Sequence, residues 1–395
     1  MSEIKVNSIK GVGASVAAIT VNNSDGTCSA NATTINSVTM PNGGFLSNRN
    51  LIINGAMQVA QRGTSSTTSG YGSVDRFAVI YNNTDEAPTH AQADVASGTT
   101  PYTLGFRKSL KVTNGNQTSG AGADDEIIIR TRLEAQDIAN SGWNYTDPNS
   151  FITFSYWIKS SVAQNFYGRL RTQETNYNYA YETGSLSANT WTKITKKIAG
   201  NSNLQFDNDN AKGLTIEWTI FRGTDHTSSF ALDTWLAYTN GGKVPDMTTT
   251  WYTTNDATFE ITAVQLEVGS VATDFEHRSY AQEALLCKRY YQVIKGNSDL
   301  VMFGSGRAST VNYAIVATQL AVPLRASPTI SSTRYSGWGP SGAHTATGAT
   351  PTVTVFNDTD NQLNLTFGSL ASLTNARVAV VSCNSASDLV MDSEL

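Results

Sequence analysis

The stretch FITFSYWIKSS, residues 151–161, decides the fold. Ile152, Phe154, Tyr156 and Ile158 alternate with Thr153, Ser155 and Trp157. A period of two sends successive side chains to opposite faces of a strand, so the apolar set shares one face. Further along, Leu214, Ile216, Trp218 and Ile220 repeat the pattern, and Phe259, Ile261 and Ala263 do so again. Ile127, Ile128 and Ile129 run without alternation, as in a strand buried on both faces. Gly, Asn, Asp and Ser cluster between these runs. Many short strands separated by turn signals predict an all-β chain, with a large jelly-roll β-sandwich over residues 47–278.

Three smaller regions flank this body. Residues 1–46 hold short apolar runs between turn signals such as Ser24-Asp25-Gly26 and Pro41-Asn42-Gly43-Gly44. That stretch is too short and polar to bury a core alone. One reading is a flexible tail; the other is a docking and trimerisation segment in which Ile4, Val6, Ile9, Ile19, Val21, Ile35 and Val38 are shared with sister copies. Residues 279–296 include YAQEALLCKRYYQVIK, where Tyr280, Ala284, Cys287, Tyr291 and Ile294 recur at helical spacing and Gly296 is a stop signal. Such an amphipathic helix either seeds a short three-stranded coiled coil or packs on its own β domain. Residues 297–395 return to strand signals, at Tyr313, Ile315 and Ala317, at Leu363, Leu365 and Phe367, and at Val378 and Val380. They predict a smaller C-terminal β-sandwich.

Composition limits the function classes. The chain has 395 residues, of which 15% are charged, and a net charge of −5. A typical soluble domain has about 25% charged residues, so Ser, Thr, Asn, Gln and Gly supply much of the polar surface here. No stretch is densely basic, which argues against a nucleic-acid partner. The opening MSEIKVNSIKGVG does not read as a signal peptide, and no apolar run is long enough for a membrane helix. Cys28, Cys287 and Cys383 are few and far apart, so neither a disulfide framework nor a zinc site is expected.

No motif supplies catalytic chemistry. His90, His226, His277 and His344 sit in no metal spacing, and no nucleotide-binding glycine loop or nucleophile elbow occurs. Asp124-Asp125-Glu126 reads as a solvated turn, although a glycosidase pair drawn from distant strands stays open. Asp207 and Asp209, in DNDN, offer oxygen ligands to calcium. Trp218 stands where an EF-hand would place its closing Glu. The sequence asks for no cofactor. Aromatics are the better binding candidates. Tyr177, Tyr179 and Tyr181 share one strand face, Trp143 pairs with Tyr145, and Trp338 lies in the glycine-rich YSGWGPSG. Such rings stack on sugars or on a receptor, or they pack sheets and subunit interfaces.

Three stretches resemble phage tail-fibre and related virion proteins of the marine and cyanophage type. They are SEIKVNSIKGVGASVAAITVNNSDG from Ser2, NLIINGAMQVAQRGTS at 50–65 with Asp75-Arg76-Phe77, and ITAVQLEVGSVATDFEHRSYAQEALLCKRYYQ at 261–292. The resemblance covers most of the chain to residue 292. It implies a jelly roll like that of carbohydrate-binding modules inside a non-enzymatic structural subunit. A homotrimeric tail fibre is expected, assembled in the host cytoplasm. Its N-terminus would dock to other tail or virion proteins, and its outer end would contact a host-surface glycan or protein receptor. A capsid or neck decoration and a polysaccharide depolymerase are the alternatives.

Overall fold

The computed structural model describes residues 48–296 continuously. Beyond them it describes 8–9, 19–21, 28–30, 34–35, 38–39, 301–332, 335–339, 342–345, 353–359, 362–370, 373, 375, 377–383 and 388–395. The chain divides into two compact units, Met1–Leu46 and Ser47–Leu395.

In the first unit, β1 (Ser8–Ile9), β2 (Ile19–Val21) and β3 (Cys28–Ala30) form an antiparallel sheet with Ile9 opposite Ile19. Strands β4 (Thr34–Ile35) and β5 (Val38–Thr39) form a hairpin that places Ile35 opposite Val38. The described strands pair with others of the same chain. Ile4 and Val6 lie outside the described residues.

In the second unit, the chain crosses repeatedly between two antiparallel six-stranded sheets. Along the body run β6 (Ser65–Ser66), β7 (Ala78–Asn82), β8 (Thr89–Asp94), β9 (Lys108–Thr113), β10 (Glu126–Glu134) and β11 (Phe151–Ser160). They are followed by β12 (Asn165–Thr172), β13 (Tyr177–Ser185), β14 (Thr192–Ala199), β15 (Lys212–Arg222), β16 (Trp235–Ala237) and β17 (Thr258–Val268). The first sheet has the order β16-β13-β12-β15-β10-β7 and the second β14-β11-β17-β9-β8-β6. Short helices α1 (Thr100–Thr103), α2 (Ala135–Ala139) and α3 (Thr250–Thr253) cap the connections.

The apolar face of FITFSYWIKSS packs against the inward face of β15. Trp218 lies 5.7 Å from Phe154, 5.6 Å from Tyr156 and 5.9 Å from Phe77, ring centre to ring centre. Ile127, Ile128 and Ile129 are all buried, as their unbroken run predicts. The run Phe259, Ile261, Ala263 breaks at its last member. A bulge opposite 155–157 sets Ala263 at φ +55°, and Val264 and Leu266 take over the inward phase. Ala263 turns outward to Ala56, Val95 and Phe106.

Helix α4 covers Tyr280–Lys288 and starts where the Ser279 side chain accepts the Gln282 N–H at 3.3 Å. It ends well before Gly296. Tyr291 and Ile294 belong to β18 (Tyr291–Ile294), so they are not on a helical seam. Tyr280 is 61% exposed, and the buried side of α4 is Glu283 and Cys287 rather than an apolar stripe. Packing on its own chain thus replaces the coiled-coil reading.

The C-terminal region contains β19 (Val301–Thr310), β20 (Tyr313–Gln319), β21 (Thr329–Ser331), β22 (Ser336–Gly339), β23 (Gly342–Thr345), β24 (Val353–Thr359), β25 (Gln362–Phe367), β26 (Val378–Cys383) and β27 (Leu389–Asp392). A seven-stranded sheet, β23-β22-β26-β19-β20-β25-β24, shares a core with the three-stranded sheet β18-β27-β21. Leu363, Leu365 and Phe367 face that core. In β20 and β26 the inward phase is opposite to the one predicted. Ala314, Val316, Ala379 and Val381 are buried, whereas Tyr313 is exposed and Val378 is 69% exposed. Both faces of those strands carry apolar residues, so alternation alone does not identify the inner one.

Candidate functional site

The predicted aromatic contacts do not form a surface. Tyr179 and Tyr181 do share a direction, but they point into the sandwich: Tyr181 is 0% exposed and stacks edge-on to Phe154. Gly168 opposite leaves room for it, since a Cβ there would lie 2.3 Å from the Tyr181 ring. Tyr177 is half-buried against the same core. Trp143 is 3% exposed and, with Tyr145 and Phe206, closes one end of it. Trp338 lies on strand β22, paired with Ala343 and Val380, and not at a loop tip. Asp207 and Asp209 are exposed. Asp209 accepts the Ala211 N–H at 3.0 Å and Asp207 accepts Gln205 Nε2 at 3.1 Å. Among the described residues no group of three His, Cys, Asp or Glu converges as a metal site. The neighbouring Asn210 binds Arg325, so this loop holds the C-terminal region to the body.

Residues 50–65, 75–77 and 261–292 converge on a buried polar hub. Asn50 Nδ2 donates to Val264 O at 3.0 Å, and its Oδ1 accepts the N–H groups of Ile52 and Leu266. Asn54, at φ +60°, ties Val59 and Asp75 together. Gln61 Nε2 donates to Asp75 at 2.6 Å and to Tyr291 O at 3.1 Å. Arg278 bonds Glu276 and Glu283. Arg289 grips Glu134 through two bonds of 2.7 Å, and Tyr290 Oη donates to the same carboxylate at 2.6 Å. Arg76 lies 3.3 Å above the Tyr290 ring and pairs with Glu394. Strand β27 then adds to β18, which fastens the C-terminus. These residues are scaffold. A pocket of about 540 Å³ lies beside them, but its arginines, Arg278 and Arg289, are already spent on carboxylates.

A different polar region faces outward on the first sheet. The period of two that sends Leu170, Leu214, Ile216, Trp218 and Ile129 inward sends Tyr167, Arg169, Arg171, Thr215, Glu217, Thr219, Arg130 and Arg132 outward. Register aligns them in rows. One row is Arg169–Glu217–Arg130 and the next is Arg171–Thr215–Arg132, across β12, β15 and β10. Glu217 is 3% exposed; it accepts Arg169 Nε at 2.6 Å and Arg222 Nη2 at 2.8 Å. Arg222 Nε donates to Glu126 at 2.6 Å. Burial raises the pKa of Glu217, but attraction to Arg169 and Arg222 outweighs it and holds the carboxyl well below the usual carboxylate range.

The hydrogen bonds of this face do not close. Arg169 Nη1, Arg222 Nη1, Asn178 Oδ1, Thr219 Oγ1, Arg130 Nε and Arg171 Nε are buried with no protein partner. Arg130 and Arg171 form no ion pair among the described residues, while Arg169 and Arg222 do. Lys212 is held below its ordinary range by the Arg132 charge first, then by burial and by Arg130 and Arg171. Like charges thus crowd together at this end of the face. Tyr238 lies flat over Arg171 at 3.7 Å. Sequence reading missed this site, although IIIRTRLE and YGRLRT each carry two arginines at strand spacing. What is not legible is that β15 brings the two strands to one face.

On the outer side of the second sheet, Phe106, Trp157, Phe275 and His277 line an open pocket of about 250 Å³ together with Ser155, Lys193, Thr273 and Asp274. Trp157 was placed outward by its phase with Thr153 and Ser155, and the structure agrees.

No protein-family model matches the chain, and no curated protein does. Among solved structures, it is similar to the enzymatically active domain of tailspike protein 4 of bacteriophage CBA120, with 9% identity and a TM-score of 0.29. That overlap covers 56% of this chain and spans 21% of that domain. The family 11 carbohydrate-binding module of Clostridium thermocellum, in complex with a mixed-linked tetrasaccharide, gives 10% identity and a TM-score of 0.26 over 53% of this chain and 98% of that one. The N-terminal CBM22-1-CBM22-2 tandem domain of Paenibacillus barcinonensis Xyn10C gives 8% and 0.27 over 89% and 98%. At these TM-scores the fold rests on the strand pairing above and the site on its own residues.

Proposed function

We propose that this protein is a non-enzymatic structural subunit of a phage virion, a homotrimeric tail fibre whose β-sandwich body contacts the host surface. One observation carries the contact role: the outer face of the first sheet holds buried polar atoms with no internal partner. Buried polar groups in folded proteins are nearly always paired, so such a set calls for water or a ligand. The phage assignment is supported by the three quoted stretches, and the structure gives two of them a common purpose as the hub. The short strands before residue 47 are the docking and trimerisation segment, joined to other virion proteins. Several copies on one particle would multiply weak contacts into useful avidity. Among the described residues no helix is long and apolar enough to cross a membrane.

The test uses the full chain and the particle. Light scattering on the purified protein should give three times the 42.4 kDa chain mass. Antibody against the chain should label the tail, and the free protein should block adsorption. A monomer overturns the trimer. Label confined to the capsid or neck, with adsorption unaffected, replaces the fibre by a decoration protein.

A further inference from the structure

We infer that the outer face of the first sheet binds an acidic saccharide, with sugar carboxylates seated on Arg130 and Arg171. This rests on the host-attachment reading and names the chemical class it would recognise.

Charge selects an anion. Arg130, Arg132, Arg169, Arg171, Lys212, Arg222 and Lys243 gather around this face against Glu126, Glu182 and Glu217. Glu126 and Glu217 are absorbed by Arg169, Arg222 and Lys243. Arg132 spends Nη1 on Leu395 O. Among the described residues the Arg130 side chain makes no hydrogen bond or ion pair, while Arg171 spends Nη2 on Asn176 Oδ1 at 2.7 Å and keeps Nη1 and its charge; a planar guanidinium such as that of Arg130 fits a carboxylate through two parallel bonds.

Shape and mixed chemistry select a saccharide. Strands β13, β12, β15 and β10 lie side by side, so the face runs roughly 14 Å from the first of them to the last. That is an extended strip and not a single-ion pocket. The buried Glu126 and Glu217 would repel the closely spaced phosphates of a nucleic acid, whereas a uronate polymer carries at most one carboxylate per ring. Tyr238 and Tyr167 add ring surface beside the arginines.

The probes are oligomers of galacturonate, of mannuronate and of alternating glucuronate, their carboxyl-reduced forms, and an oligothymidylate of equal charge. Calorimetry on the full chain should show binding of at least one uronate series that weakens with added salt. The reduced forms should bind at least about tenfold more weakly, as should the Arg130→Met and Arg171→Met variants towards that uronate. Arg130→Lys should be intermediate, because it keeps the charge and loses the fork. Near-ultraviolet circular dichroism checks that each variant is folded. Equal binding of the reduced forms, equal or tighter binding of oligothymidylate, or unchanged binding by both Met variants overturns the inference. Silence of all the uronates does so too. If free protein still blocks adsorption in that case, host attachment stands and only this site falls. If adsorption is also unaffected, the attachment reading falls with it.

Discussion

The hub at the end of the sandwich and the outer face of the first sheet are built from the same residue types, yet they differ in closure. Around Glu134, both carboxylate oxygens are taken by Arg289, Tyr290 and Gln136. Buried atoms without a protein partner are fewer there: Arg76 Nε, whose group rests on the Tyr290 ring, Arg49 Nε and the Tyr71 hydroxyl. On the sheet face, Arg169, Arg222, Arg130 and Arg171 each keep a buried nitrogen without a partner. A closed polar network specifies and rigidifies a fold. An open one stores binding capacity at some expense of stability. Residues 50–65, 75–77 and 261–292 lie on the closed network, so they report how this chain is held together and not what it binds.

Breaking the hub should have the largest effect. Glu134→Ala strands Arg289 and the Tyr290 hydroxyl in a buried site, and removing one partner of such a pair costs about 3–5 kcal/mol. Chemical denaturation should show that loss, together with earlier release of β18 and β27. A change under about 1 kcal/mol would mean that the hub is not what fastens the C-terminal region.

Acid should act next, through the sheet face. Glu217 and Glu126 are raised by burial, but the attraction of their arginines outweighs that and leaves both lowered. A depressed folded-state pKa adds stability above the unfolded value and loses it as pH falls through the folded one. In the hub, burial dominates at Asp75 and Glu394 and leaves both raised, so their contribution has the opposite sign and is lost as pH rises through their folded values. Stability should therefore fall below roughly pH 4.3, where ordinary glutamates protonate. Glu217→Gln should make that acid slope shallower, by roughly 2 kcal/mol across the limb. An identical slope in the variant would show that Glu217 is not held by its two arginines.

Much of the body was legible in the sequence, because its strands are apolar on one face only. FITFSYWIKSS and the Leu214–Ile220 run behave as their alternation requires. Prediction failed where that asymmetry is missing or is broken locally. Tyr313, Ile315 and Val378 look core-like, but their neighbours Ala314, Val316 and Ala379 are the buried set. Ala263 left the inward phase because one bulge reverses every later side chain. The helix stopped early because Tyr291 is needed on a strand beside β27, a long-range demand with no local signal. Of the candidate site, the tyrosines were grouped correctly and sent to the wrong side. Alternation shows that Tyr179 and Tyr181 share a face, but not which face is inside. The arginine pairs were visible at strand spacing, but their union across β15 depends on strand order, which no local pattern encodes.

The central claim, that the hub holds the fold and the sheet face serves a ligand, meets its most direct test in one variant read two ways. The double substitution Arg130→Met and Arg171→Met keeps the aliphatic stems and removes two half-buried charges that form no ion pair among the described residues. Thermal unfolding and uronate calorimetry are measured on the same preparation. The account predicts an unfolding free energy within about 0.5 kcal/mol of the parent or higher, with saccharide binding lost. A destabilised protein that still binds would contradict it.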